Sequence, residues 1–214
     1  MPSKPPQKKP LKTPSAGGKD ASRLTRDDWL NAAFEAVVEG GADNVKVLTL
    51  AETLGVTRGS FYWHFQDHAE LLQAVLSGWK TQEIETALRL QTERHADPLM
   101  DMDQLLDEAL AQGGADLENM RFELAVRGLG RRNPEVAALL TEVDQARMAV
   151  FVKKFKRLIP DEQQANDLAV LFYLAIVGCY QALSRPGTPG RMKSYFKSIL
   201  LTHLVQAQTS YRAP

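Results

Sequence analysis

Leu48 to Phe65, LTLAETLGVTRGSFYWHF, decides how the chain is read. Leu50, Ala51 and Leu54 fall at i, i+1 and i+4 and share one face of a helix. Gly55 follows the last of them, where a helix C-terminus favours a residue tolerant of left-handed φ. Val56 supplies an apolar plug after the turn, and Thr57 is the expected N-cap of a second, shorter helix. That helix opens with Arg58, Gly59 and Ser60, which are donor or low-profile side chains. Phe61 and Phe65 lie four apart and are expected on its buried side, leaving Tyr62 and His64 pointing outward. Two helices joined by a short glycine-containing turn make a helix-turn-helix. A short helix with slender polar residues at its start can enter a major groove and reach base edges.

Upstream, Leu24 to Glu39 carries Trp29, Leu30, Ala33, Phe34, Val37 and Val38 on one stripe. Thr25 is its expected N-cap, Asp28 three residues on suggests a capping box, and Gly40-Gly41 stops it. This helix should back the motif, with Arg23 and Arg26 free to face phosphates. Downstream, Asp67 is the expected cap of a helix from about His68 to Arg94, buried through Leu71, Leu72, Val75, Leu76 and Trp79 and broken at His95 to Pro98. Further helical stretches run from Met102 to Ala111 and from Leu117 to Leu129. Another starts with Pro134 at N1 and reaches about Ile159, and the last two are Glu162 to Ser184 and Arg191 to Gln208. No strand alternation interrupts this pattern, so the expected class is all-α with about nine helices.

Bulk charge makes no argument for nucleic acid, because the 214 residues balance 26 Lys and Arg against 26 Asp and Glu. Residues 23–80 are acidic on balance: Arg23, Arg26, Lys46, Arg58 and Lys80 face Asp27, Asp28, Glu35, Glu39, Asp43, Glu52, Asp67 and Glu70. Residues 1–20 are the opposite, with Lys4, Lys8, Lys9, Lys12 and Lys19 against Asp20 among repeated prolines. That composition suits a solvated, disordered leader, or a basic arm adding salt-dependent phosphate contacts. No apolar run approaches the roughly 18 residues that span a bilayer. The most apolar stretch, Leu168 to Leu183, contains Tyr173, Tyr180 and Gln181 and reads as a buried helix. With no apolar signal-peptide core and a single cysteine, Cys179, the expected compartment is the cytoplasm and the expected role of Cys179 is inert core.

The motif resembles the DNA-binding segment of the tetracycline-repressor (TetR/AcrR) family. The shared pattern is apolar-Ala-x-x-x-Gly-Val-Ser/Thr-x-x-small-Leu/Phe-Tyr-x-His-Phe followed by a Leu-Leu pair, met here by Leu50, Ala51, Gly55, Val56, Thr57, Ser60, Phe61, Tyr62, His64, Phe65, Leu71 and Leu72. The resemblance covers about Arg23 to Trp79. It implies a DNA-binding domain over 21–79 and an effector-binding and dimerisation domain over 80–214. It makes Arg58, Gly59 and Ser60 the base-reading positions and Tyr62 and His64 phosphate contacts, with Lys46, Thr49, Thr57, Trp63 and His68 completing the DNA-facing set. Two departures stand out. Lys46 and Val47 occupy positions where the family commonly caps its second helix with Ser or Thr, so Asn44 or Thr49 becomes the expected cap. His68 replaces a phosphate-binding lysine and is a weaker, pH-dependent cation. The expected non-specific DNA affinity is modest unless the lysine tail compensates.

A helix apolar around most of its circumference must be buried on more than one side. In 162–184, Leu168, Leu171, Phe172, Ala175, Ile176 and Cys179 supply one face, and Ala169, Tyr173, Val177, Tyr180 and Leu183 another. One face is expected inside the domain and the other against a second subunit. The family's last two helices form such an interface, and a two-fold dimer matches a palindromic operator. By family analogy Phe122, Val126, Met148, Phe151, Phe155, Phe172 and Ile176 are candidates for an effector pocket, although their spacing fits plain core equally well. Arg121, Glu123 and Arg127 either place charge near that pocket or lie on a solvated face, and the face is the expectation. His64 and His68 are four apart but lie across a helix boundary with no third ligand, so no metal is expected. The absence of a nucleophile–base pair, phosphate loop or dinucleotide fingerprint argues against an enzyme and against a cofactor. The expectation is a TetR-like regulator, more often a repressor in that family, that binds a palindrome as a homodimer and is released by a small effector. The alternative is a helical ligand-binding or scaffold protein whose helix-turn-helix does not read DNA.

Overall fold

Thr25 opens the first helix with a complete capping box: its hydroxyl accepts from the Asp28 backbone N–H, and the Asp28 carboxylate accepts from the Thr25 backbone N–H at 2.9 Å. The computed structural model describes residues 24–110, 115–185, 191 and 194–203; the leader 1–20 lies outside them. The fold is all-α, with no strand among the described residues. Its helices are α1 (Arg26–Gly40), α2 (Val47–Thr53), α3 (Arg58–Phe61), α4 (His68–Thr92), α5 (Pro98–Ala109), α6 (Ala115–Gly130), α7 (Pro134–Phe155) and α8 (Glu162–Leu183). A single 3-10 turn, Ala42–Asn44, follows α1, and residues 194–203 form a last helical run, α9.

Caps explain most of these boundaries. Asp67 accepts from the Glu70 N–H at 2.8 Å to start α4, Asn133 accepts from the N–H groups of Glu135 and Val136 to start α7, and Asp161 accepts from Gln164 N–H to start α8. The expected break before Pro98 is present, since α4 ends at Thr92, but Pro98 itself belongs to the next helix. It sits at N1 of α5 behind the N-cap Asp97, where its missing N–H costs nothing, so α5 begins four residues earlier than its apolar spacing suggests.

Two apolar cores lie along α4, which runs unbroken through residues 79 and 80. The first gathers Trp29, Val37, Leu50, Phe61, Phe65, Leu71 and Trp79, together with Phe122 and Val126 of α6 and Val136, Leu140 and Val143 of α7. The second gathers Leu105, Leu106, Phe151, Phe155, Phe172, Ile176 and Leu183. The start of the helix-turn-helix bundle is thus seated on α6 and the first half of α7, and α1 packs directly on α6.

By length and composition α8 could cross a membrane, with a mean hydropathy of 1.4. A core helix passes the same test, and α8 packs along α7 with Phe172, Tyr173 and Ile176 buried. Its two faces differ from those expected. Leu171 lies on the uncovered face, not beside buried Phe172 and Ile176, and the second expected face, Ala169, Tyr173 and Leu183, is buried within the subunit. The side left open carries Val170, Leu171 and Leu174, 44%, 58% and 60% exposed. A helix apolar on all sides gives no polar stripe from which to choose, so tertiary packing decided it.

Candidate nucleic-acid interface and cavity

Gly55 sets the angle between α2 and α3. At φ +69° it occupies the left-handed region, its N–H donates to Glu52 O at 3.1 Å, and the Val56 N–H donates to Ala51 O at 2.9 Å. This pair of bonds is a Schellman motif, and Val56 is the apolar residue that closes it. The start of α2 is different from expectation. Lys46 occupies the N-cap with extended backbone and no side-chain cap, so neither Asn44 nor Thr49 serves. Thr57 holds the N-cap position of α3 with extended backbone, but its hydroxyl makes no capping bond.

An aromatic wedge holds α3 in place. Phe61 and Phe65 are buried and stack at 5.5 Å, and the edge of Trp29 meets Phe61 at 5.4 Å. Arg26 does not simply point to solvent; its guanidinium lies 4.6 Å from the centroid of Phe65, which holds it beside α3. Over this base, Thr57, Arg58 and Gly59 are exposed and Ser60 half-buried. Tyr62 is 57% exposed and Trp63 88%, while His64 and His68 are half-buried. Lys46 and Thr49 are exposed at the start of α2, and so is Leu48, which falls off the Leu50–Ala51–Leu54 face and which sequence reasoning passed over. α3 is only four residues long, with Tyr62 its C-cap; the next two positions continue as a turn, bonded from Trp63 N to Ser60 O and from His64 N to Phe61 O.

A cavity of about 480 Å³ opens among α4, α5, α6, α7 and α8. Phe151 and Ile176, two of the sequence-derived candidates, line it beside Tyr173, Tyr180, Glu83, Glu123 and Arg147. The other candidates lie elsewhere. Phe122 and Val126 are in the first core, because the bulk of α6 that faces α1 must be apolar. Phe155 and Phe172 close on each other edge to face at 4.9 Å and are fully buried. Met148 borders a separate open groove with Gln91, Ala149 and Val152.

Glu123 and Arg127 are not on a solvated face. Glu123 is 2% exposed, and Arg147 donates to both its oxygens at 2.9 and 3.0 Å while also reaching Glu83 at 2.6 Å. Arg127 joins Glu123 at 2.8 Å and forks onto Asp144 at 2.6 and 3.2 Å; Tyr173 donates to Asp144 at 2.5 Å. Burial disfavours the charged Asp144, yet the hydrogen bonds from Arg127 and Tyr173 prevail and hold its carboxyl below the ordinary range. Burial also pushes the Tyr173 and Tyr180 hydroxyls above their usual range, so both stay protonated donors. Arg121 donates to Ser184 O at 3.3 Å and ties α6 to the end of α8.

Comparison with known proteins places this geometry. The profile described as "Bacterial regulatory proteins, tetR family" matches residues 30–75. The HTH-type transcriptional regulator TtgR of Pseudomonas putida is 36% identical over 88 residues, which are 41% of this chain and 42% of that protein. The HTH-type transcriptional regulator AcrR of Shigella flexneri is 30% identical over 95 residues, 43% of each chain. A transcriptional regulator from Rhodococcus sp. Rha1 superposes with a TM-score of 0.70 at 18% identity, over 86% of this chain and 97% of its own. Residues 30–75 carry the helix-turn-helix segment of the tetR-family regulators. The chain spans about two fifths of the length of those two curated relatives, and the likeness to the Rhodococcus protein shows a shared fold.

Proposed function

We propose that the chain is a transcriptional repressor that binds a palindromic operator as a homodimer and lets go when a small effector fills the cavity. The observation that carries the DNA reading is that Thr57, Arg58, Gly59, Tyr62 and Trp63 are exposed over buried Phe61, Phe65 and Trp29. Aromatic packing fixes the backbone, so Arg58, Gly59 and Ser60 can present donors and free space to base edges. Tyr62, His64 and Lys46 would contact phosphates, and Trp63, Thr49, Thr57 and His68 would flank them. The dimer reading is supported by the apolar side chains left exposed on the last two helices, Val170, Leu171 and Leu174 of α8 and Tyr195 and Ile199 of α9. Two-fold pairing through it would place two copies of α3 on one side of the duplex.

Release would be a population shift. The effector must bind better to the dimer whose two α3 helices misfit successive major grooves; equal affinity for both forms would shift nothing. The acidic balance of residues 23–80 favours the scaffold alternative. Fluorescence anisotropy with labelled duplex pools at low and physiological salt separates the two. Salt-dependent binding that is lost in Arg58→Ala supports the repressor, and binding that is absent or indifferent to Arg58 supports the scaffold.

A further inference from the structure

The cavity's charges do not balance. Its lining holds three carboxylates, Glu83, Glu108 and Glu123, against two guanidinium groups, those of Arg89 and Arg147; behind that wall Arg127 ties Glu123 to Asp144. Glu123 and Asp144 are saturated, each by two partners. Glu83 is not: it spends Oε2 on Arg147, and among the described residues no hydrogen bond engages Oε1. At the rim Arg89 pairs with Glu108 of the lining and with Glu93 beyond it. The remaining wall is aromatic and aliphatic, from Phe151, Tyr173, Tyr180, Ile176 and Val150. An anion would add like charge to an enclosed acidic site, and a neutral apolar molecule would leave the surplus carboxylate unmatched.

We propose that the cavity takes a monocation with an aromatic or branched apolar body, its positive centre against Glu83 and its body against Phe151, Tyr173 and Tyr180. This rests on the reading of the cavity as the effector site and names the chemical class of the effector. Electron-rich ring faces add attraction for the same charge. Glu83 belongs to α4, the helix that also supplies Leu71, Val75 and Trp79 to the core of the DNA-binding bundle, so a cation that draws Glu83 from Arg147 acts on a helix shared with α3.

The test is isothermal titration of the full chain with benzyltrimethylammonium, with its uncharged carbon isostere neopentylbenzene, and with phenylacetate. The cation should bind at least about tenfold more tightly than the isostere, as expected of one charge-assisted contact, and phenylacetate should bind weakest. Glu83→Gln, shown to be folded by circular dichroism, should bring that preference to within about twofold, whereas Glu142→Gln, an exposed acid paired with Lys80, should keep it. The inference is overturned if the isostere or phenylacetate binds as well as the cation, if the preference survives Glu83→Gln, or if none of the three binds at millimolar concentration. DNA binding measured on the same preparation keeps the two readings apart. Sequence-specific DNA binding without cation preference overturns only this inference; cation preference without DNA binding overturns only the repressor.

Discussion

Phe122 of α6 stacks on Phe34 of α1, with ring centroids 4.5 Å apart and planes inclined by 15°. Trp79 of α4 closes on the same ring at 5.8 Å. The next residue, Glu123, is about 100° further round the helix and enters the charged wall of the cavity. One turn of α6 therefore touches both the helix-turn-helix bundle and the cavity, and α4 does the same through Trp79 and Glu83.

Phe122→Ala removes that shared ring. It should cost about 3–5 kcal/mol, the usual range for emptying a buried aromatic site. The urea midpoint followed by circular dichroism should fall, and the signal should separate into two transitions as the cores uncouple. A single unshifted transition would show that the ring carries no coupling.

Arg58→Ala should weaken binding to the preferred duplex by about 1–3 kcal/mol and flatten preference at one base pair, if Arg58 reads guanine through O6 and N7. Anisotropy titrations on single-substituted duplexes measure this. Equal loss on every sequence would reassign Arg58 to phosphate.

Leu174→Glu puts a charge in the middle of the open face of α8, where Leu174 is 60% exposed. Light scattering should report a monomer of unchanged helicity, because the side chain has no role inside the subunit. Operator binding should fall steeply with it. A dimer that survives the substitution would move the interface elsewhere.

Asp101 joins α5 to the end of α7. It is buried with Lys154 at 2.7 Å and also accepts from Arg157, while Lys154 donates to Glu93 O at 2.6 Å. Burial opposes its charge, but the bonds from Lys154 and from His95 N–H prevail and depress its pKa. The sign follows: folded-state pKa lies below the unfolded value, so this stabilisation is complete above about pH 4 and disappears as pH falls through the folded-state value. Asp101→Asn leaves Lys154 and Arg157 facing a neutral group and should cost about 3–5 kcal/mol at pH 7. The gap between wild type and variant in urea midpoint should narrow below pH 4; a gap independent of pH would exclude the carboxylate as its source.

What could be read from the sequence was whatever one or two residues decide locally. Gly55 with Val56, Thr25 with Asp28, and Asp67 each announce a helix end by a backbone or side-chain geometry few residues can supply. Phe61 and Phe65 at a spacing of four gave the buried side of α3 and Tyr62 its exposed side, but His64, expected to point outward, is half-buried. The cavity was poorly legible for the opposite reason. Glu123 meets Arg147 24 positions away, and Arg147 meets Glu83 64 positions away, so Glu123 and Arg127 four apart look the same as an ion pair on a wet surface. Phe151 and Phe155 are equally alike in sequence; only the position of α8 makes one a wall of the cavity and the other a core residue.

The most direct measurement is selection of bound sequences from a random duplex pool by the purified full chain at moderate salt. A regulator built on paired α3 helices should recover a palindrome whose half-sites lie about one helical turn apart, roughly 34–36 Å, or somewhat more. Recovery of no sequence motif by folded, dimeric protein would contradict the account and leave the helix-turn-helix as a structural remnant beneath a ligand-binding domain.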